Sequence, residues 1–202
     1  MTELSRIVLA SNNPGKLKEF AALFAPLNIE LLPQSQFGVP EADEPYVTFI
    51  ENALGKARHA SEHTGLPALA DDSGLIVPAL DGAPGVLSAR YATLFGQSRS
   101  DANNNQCLQA QLKGISDRAA AYIAVLVLVR HPKDPAPIIA QALWHGEIID
   151  QAMGEHGFGY DPYFWVPAYQ QTAAQMAPEL KNRISHRGQA LQALCQQLAS
   201  TT

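Results

Sequence analysis

Arg6-Ile7-Val8-Leu9-Ala10-Ser11-Asn12-Asn13-Pro14-Gly15-Lys16-Leu17-Lys18-Glu19-Phe20-Ala21-Ala22-Leu23-Phe24 begins as an apolar run and ends on a helical repeat, and that change of period decides the fold class. Arg6 to Ala10 has the composition of a short buried strand. From Lys16 to Phe24 the apolar residues Leu17, Phe20, Ala21, Leu23 and Phe24 recur at helical spacing. Strand, loop, helix is the opening unit of an α/β protein. Further on, a short strand is expected at Glu30 to Leu32, then a loop rich in proline and acid from Pro33 to Tyr46. Thr48 to Thr64 is a second helix with Phe49, Ile50, Ala53, Leu54, Ala57 and Ala60 on its apolar face, and Asn52 and Lys56 together on the other. Two strands, Pro67 to Ala70 and Leu75 to Ala79, flank Asp71-Asp72-Ser73-Gly74, which has the composition of a turn.

The second half is patterned differently. Asp81 to Tyr91 is punctuated by glycine and proline, and Asp101 to Leu112 is a helix. Long strands are expected at Ala119 to Val129 and Ile138 to Trp144, with a third candidate at Glu147 to Ile149. Gly154 to Pro162 is a glycine-rich loop, and Arg183 to Leu198 is a closing helix with Ile184, Leu191, Leu194 and Leu198 inward. No internal repeat is present. Helices alternate with strands early and strands cluster later, which implies a mixed sheet rather than a purely doubly wound one.

At 202 residues and 47% hydrophobic, the chain is long enough for a full core, as one domain or two fused lobes. Its longest apolar run, Ile123 to Val129, falls well short of the ~20 residues that span a bilayer, and no basic-then-apolar leader is present, so a cytosolic protein without a membrane partner is expected. Cys107 and Cys195 lie far apart, outside any thiolate zinc pattern, and are expected as buried thiols. A net charge of -5 argues against a nucleic-acid surface but leaves room for a small anionic substrate where cations converge locally.

Four segments carry candidate chemistry. Ser11-Asn12-Asn13-Pro14-Gly15-Lys16, between strand and helix, brings backbone N–H groups, a helix dipole and an ammonium to one place, although the same residues would also make an ordinary helix cap. Glu44, Asp71 and Asp72 could hold a hard cation such as Mg²⁺ together with substrate oxygens, while Asp71-Asp72 would equally suit a solvated turn. In Lys181-Asn182-Arg183-Ile184-Ser185-His186-Arg187, helical spacing stacks Lys181 on Ser185 and Asn182 on His186, a face suited to a nucleotide or simply a basic helix start. In His156-Gly157-Phe158-Gly159-Tyr160-Asp161-Pro162, glycines let the backbone approach a flat ligand, with Phe158 or Tyr160 as a stacking surface, or else form a tight turn. His59, His63, His131, His145 and His156 lack convincing ligand spacing. No Gly-x-Ser-x-Gly elbow accompanies Ser73 or Ser185.

Taken in order, SNNPGK with KEF, TFIENALGKA, ADDSGLIVPALDGAPGVLSARYA, HGFGYDPYF and KNRISHRGQAL resemble the inosine/xanthosine triphosphate pyrophosphatases, the Ham1-like family, from residue 11 to 191. The resemblance implies a single domain over residues 1–202: an elongated α/β fold of two lobes about a long mixed sheet with flanking helices, the active site in the cleft between lobes, and a homodimer. It implies hydrolysis of ITP, dITP and XTP between the α- and β-phosphates, giving a nucleoside monophosphate and pyrophosphate. By motif, Ser11, Asn12, Asn13, Pro14, Gly15, Lys16 and Lys56 would hold the triphosphate. Glu44 and Asp72 would bind Mg²⁺, with Asp72 also the general base and Lys56 a catalytic partner. Ser73 would touch the substrate, and Phe158, Gly159, Tyr160, Asp161, Lys181, His186 and Arg187 would surround base and sugar. Where many relatives have Glu-Thr-Gly or Glu-Asp-Gly before the Thr-Phe pair, this chain has Asp43-Glu44-Pro45-Tyr46-Val47, so either Asp43 or Glu44 could serve as the second ligand.

Overall fold

The computed structural model describes residues 4–12, 17, 20–21 and 24–200. Seven strands form one sheet in the order β2-β1-β3-β4-β5-β6-β7. These are β1 (Arg6–Leu9), β2 (Glu30–Pro33), β3 (Ala68–Ile76), β4 (Ala119–Val129), β5 (Ile138–Ile148), β6 (Phe164–Val166) and β7 (Gln171–Thr172). β1 pairs in parallel with β2 (Ile7 opposite Leu31) and with β3 (Leu9 opposite Leu69), whereas β5–β6 and β6–β7 are antiparallel. The sheet is therefore mixed, as the change of pattern along the sequence implies. Interior parallel strands are covered on both faces, which is why Ile7, Val8 and Leu9 form an uninterrupted apolar run without exposure. β5 instead alternates: Ala140, Trp144 and Ile148 are buried, while Ile139, Gln141, Leu143, His145 and Glu147 are exposed.

The chain divides into two compact units. The first (1–72, 124–142, 189–202) has a core of Ile7, Leu9, Phe20, Phe24, Leu69, Leu126 and Leu128 with Leu191, Leu194 and Leu198. The second (73–123, 143–188) is built round Leu75, Tyr91, Leu108, Tyr122, Trp144, Tyr160 and Phe164. Gly146 is needed in that second core, because a Cβ there would overlap Trp165 O and the Phe164 ring.

The α-helices bounded within the described residues are α1 (Phe49–Thr64), α2 (Asp101–Gln111), α3 (Pro178–Ile184) and α4 (His186–Ser200); the helix expected over Lys16 to Phe24 lies largely outside them. α1 is bounded by local signals: Thr48 accepts from Glu51 N and donates to Glu51 Oε2, and Gly65 ends the helix at φ 68°. Its buried side is Asn52, Ala53, Ala57, Ala60 and Ser61, with Ile50 exposed. Neither cysteine forms a disulfide; Cys107 is buried and Cys195 only half-buried. No helix of the described residues is long and apolar enough to cross a membrane.

Three expectations need correction. Asp71-Asp72-Ser73-Gly74 is not a turn between two strands but the middle of β3, which runs unbroken from Ala68 to Ile76. Local turn propensity yields there to the sheet. The candidate strand at Glu147 to Ile149 is the end of β5. The closing helix is not continuous: Ser185, at φ -68° and ψ 162°, is extended and separates α3 from α4. Its N–H still caps α3 on Lys181 O, and its hydroxyl accepts from Gly188 N, so it ends one helix and caps the next. The stacking of Lys181 on Ser185 and of Asn182 on His186 along a single helix therefore does not occur.

Candidate active site

In the first unit the site is built on α1 and β3. Asn52 and Lys56, one turn apart, hold the preceding loop at two points. Asn52, almost fully buried, accepts from Tyr46 N and donates to Tyr46 O, each at 3.1 Å. That double bond to one residue sets the loop so that Glu44 reaches Lys56. Lys56 Nζ donates to Glu44 Oε1 at 2.8 Å and to Asp72 Oδ1 at 2.8 Å. Of the two alternatives, Glu44 is thus in the cluster, while Asp43 is exposed.

The electrostatics of this cluster are unbalanced. Asp72 is 9% exposed and Asp71 lies beside it, also buried. Burial, more than any other influence, raises the Asp72 pKa above its ordinary value; the Lys56 charge opposes this, and Glu44 and Asp71 add to it. For Lys56, burial works against the ammonium, but Asp72 and Glu44 together outweigh it and hold the pKa above the usual lysine value. One cation facing two or three carboxylates explains both directions. Asp72 Oδ2 is buried and has no hydrogen-bond partner among the described residues. A buried Asp72 oxygen without a hydrogen-bond partner, in a carboxylate that shares Lys56 with Glu44, fits a divalent cation. Glu44 and Asp72 are the residues that could hold such a cation, and among the described residues no group of three or more His, Cys, Asp or Glu could do so.

Of the loop after β1, Ser11 and Asn12 are described: Ser11 N donates to Leu9 O at 2.8 Å, and Asn12 is exposed. Asn13, Pro14, Gly15 and Lys16 lie outside the described residues.

In the second unit, Asp161 is the organising residue. It is 3% exposed and accepts from Tyr122 Oη at 3.2 Å, from Phe158 N at 2.9 Å and from Lys181 Nζ. A side chain at Gly157 would fall on Asp161 Oδ2, which with φ +81° accounts for that glycine. Of the two candidate stacking aromatics, Phe158 is 62% exposed with the Lys181 ammonium 5.3 Å from its ring centroid. Tyr160 cannot present its ring. It is buried and donates to Ser88 O at 2.8 Å, and burial pushes its phenol well above the ordinary tyrosine value.

His186 is also buried and stacks on Tyr122 (4.8 Å between centroids, 10° between planes). Arg187, following it in the first turn of α4, donates to Ser73 Oγ at 3.3 Å. Ser73 immediately follows Asp72 on β3. Gly188 permits the close approach of α4 to α3, since a Cβ there would overlap Asn182 O. Sequence reasoning missed Tyr122, whose pattern is that of an ordinary strand residue, and missed Asp101 and Asn105, which hold Gly159. Nothing local marks the last two, because Gly159 lies far along the chain from them.

Known proteins resemble this chain along nearly its whole length. The dITP/XTP pyrophosphatase of Bordetella pertussis is 65% identical over 198 residues, covering 98% of this chain and 93% of that protein. The dITP/XTP pyrophosphatase of Burkholderia pseudomallei is 62% identical over 194 residues, covering 96% and 93%. Among solved structures, a HAM1 protein from Coxiella burnetii superposes with a TM-score of 0.92 at 49% identity, covering 96% of this chain and 98% of the other. With a family profile that matches residues 7–197 as well, the chain belongs to the Ham1 family.

Proposed function

We propose that this protein is a Mg²⁺-dependent pyrophosphatase of deaminated purine nucleoside triphosphates, acting on dITP, XTP and ITP. The observation that carries the reading is the buried cluster in which Lys56 Nζ bridges Glu44 and Asp72 at 2.8 Å each while Asp72 Oδ2 has no partner, in a chain of this family. Water attacks the α-phosphorus, the bond from that phosphorus to the bridging oxygen breaks, and nucleoside monophosphate, pyrophosphate and a proton leave. Such chemistry asks for positioning and charge neutralisation more than for a covalent intermediate.

Glu44 and Asp72 would hold Mg²⁺, which when bound supplies neutralisation at the phosphate oxygens. Lys56, kept charged by its two carboxylates, adds a second cation for the phosphates. Asp72 gives Oδ1 to Lys56, which leaves Oδ2 for metal ligation or for the proton of the attacking water. Ser11 to Lys16 would hold the rest of the triphosphate. Phe158 offers the exposed stacking ring, and Lys181, His186 and Arg187 offer donors to a 6-oxo base and its sugar. A 6-amino base would leave such donors unpaired, which is the basis of discrimination against adenine; guanine, itself 6-oxo, is rejected at its 2-amino group. The same reading takes the enzyme to be a cytoplasmic homodimer, and light scattering on the purified chain tests the dimer.

A substrate panel with product identification tests the function. With Mg²⁺, XTP, dITP and ITP should release pyrophosphate far faster than ATP or GTP. Orthophosphate as the first product, or equal rates on ATP and ITP, would refute the reading.

A further inference from the structure

Asp101 and Asn105 stand one turn apart on α2 and face the same way. Both reach Gly159. Its N–H donates to Asp101 Oδ2 at 2.7 Å, and its carbonyl accepts from Asn105 Nδ2 at 2.8 Å. Asn105 Nδ2 also donates to the backbone carbonyl of Asp101 at 2.8 Å, which fixes the Asn105 side chain against its own helix. Both backbone polar groups of a single loop residue are thus held by a helix distant in sequence. The helix is itself fixed: Leu108 is fully buried and Asn104 accepts from Ala92 N at 2.9 Å.

Gly159, at φ +62°, has no side chain to steady it, and the residue before it carries the exposed Phe158 ring. Phe158 N is held on its other side by Asp161. An exposed phenylalanine between two glycines would ordinarily sample many orientations. Here the backbone on both sides of it is fixed, although the ring packs under no cover. Asp101 is itself exposed, so its bond to Gly159 contributes to the position of the loop and little to a core.

Given the nucleotide reading above, we propose that Asp101 and Asn105 are positioning residues that pre-set the Phe158 ring through Gly159, and thereby set affinity for the base of the substrate without touching it. A binding surface that is competent only part of the time loses affinity by that fraction. Loss of one charge-assisted hydrogen bond is enough to lower the competent fraction by about tenfold.

The test compares Asp101→Ala, Asp101→Asn and Asn105→Ala with the wild type for kcat and KM on XTP, inhibition by XMP and by pyrophosphate, and XTP over ATP preference. In Asp101→Ala, KM and the XMP inhibition constant should rise about tenfold, and in Asn105→Ala, which loses a neutral hydrogen bond, about three- to tenfold; the XTP over ATP preference should stay within about twofold, since every purine stacks. The pyrophosphate inhibition constant should stay within about twofold, since the clamp acts on the base end alone. Asp101→Asn keeps an acceptor for Gly159 N and should remain within about threefold of the wild type. In a Phe158→Ala background, Asp101→Ala should add nothing further. Equal rises for XMP and pyrophosphate, full additivity with Phe158→Ala, or an Asp101→Asn as impaired as Asp101→Ala would overturn the positioning role. A wild-type enzyme inert on XTP would instead overturn the nucleotide reading.

Discussion

Lys56→Met puts the central cluster to its most direct test. In the wild type, one ammonium lies 2.8 Å from each of two carboxylates, with the Lys56, Glu44 and Asp72 side chains 14%, 28% and 12% exposed. Removing one partner of a buried ion pair costs about 3–5 kcal/mol, because the remaining charge is left uncompensated. The partial exposure of Glu44 lets water take up some of that charge, so about 2–4 kcal/mol is expected at pH 7. The loss must also depend on pH. Burial already holds the Asp72 pKa above 3.8, with Glu44 and Asp71 adding to it. Without the Lys56 attraction it rises further. A carboxyl with a folded pKa above its unfolded value favours the folded state most when protonated, so the deficit of the variant should shrink as pH falls from 7 toward about 4.5. Urea unfolding of both proteins across this range is the assay, with and without added Mg²⁺. If Glu44 and Asp72 take up the cation, Mg²⁺ should recover more stability in the variant than in the wild type. A variant as stable as the wild type at pH 7, or a deficit unchanged on acidification, would refute the cluster as described.

Other perturbations separate chemistry from support. Asp72→Asn should lower kcat/KM on XTP by about a thousandfold while leaving urea stability equal or higher, since it removes an excess buried charge; a marked loss of stability would contradict that account. Asp134 accepts from Arg130 N, Nε and Nη2 and from Ala136 N, all within 2.8–2.9 Å, and the Arg130 hydrogen bonds hold its carboxyl well below the ordinary range. Asp134→Asn should therefore cost about 1–3 kcal/mol at neutral pH, with the deficit closing as pH falls below about 4 toward the folded pKa; a deficit constant to pH 2.5 in thermal melts would exclude this linkage. Gly188→Ala should destabilise by about 1–3 kcal/mol, where an open helical glycine would instead gain about 1 kcal/mol, so the sign of the change in Tm decides whether the α3–α4 approach is as close as described.

The parts of the fold legible in the sequence were those fixed by neighbours along the chain. The β1 run and the apolar repeat of α1 each declare themselves within a few residues. What escaped was fixed from elsewhere in the chain. Asp71-Asp72-Ser73-Gly74 has every local property of a turn, yet β3 carries it straight on. Neither the sheet nor the Lys56 ammonium that meets Asp72 there could be inferred from those four residues. Asp101 and Asn105 were hidden for a related reason: Gly159, the residue they hold, lies more than fifty positions away.

The break at Ser185 shows how such distant constraints shape chemistry. A continuous helix would have placed Asn182 and His186 on one face, a turn apart, as a row of solvated polar groups. With Ser185 extended, α3 ends after Ile184 and the chain is re-aimed before α4 begins. Lys181 stays on α3 with Asp161, while His186 turns inward onto the Tyr122 ring and Arg187 reaches Ser73. Asp161 and Tyr122 are themselves hydrogen-bonded, so the lysine and the histidine, though on separate helices, are referred to one buried carboxylate–phenol pair. A single serine that caps both helices thus converts a basic stretch of sequence into donors held at fixed places, and Gly188, by admitting the close approach of α4 to Asn182, lets that arrangement pack.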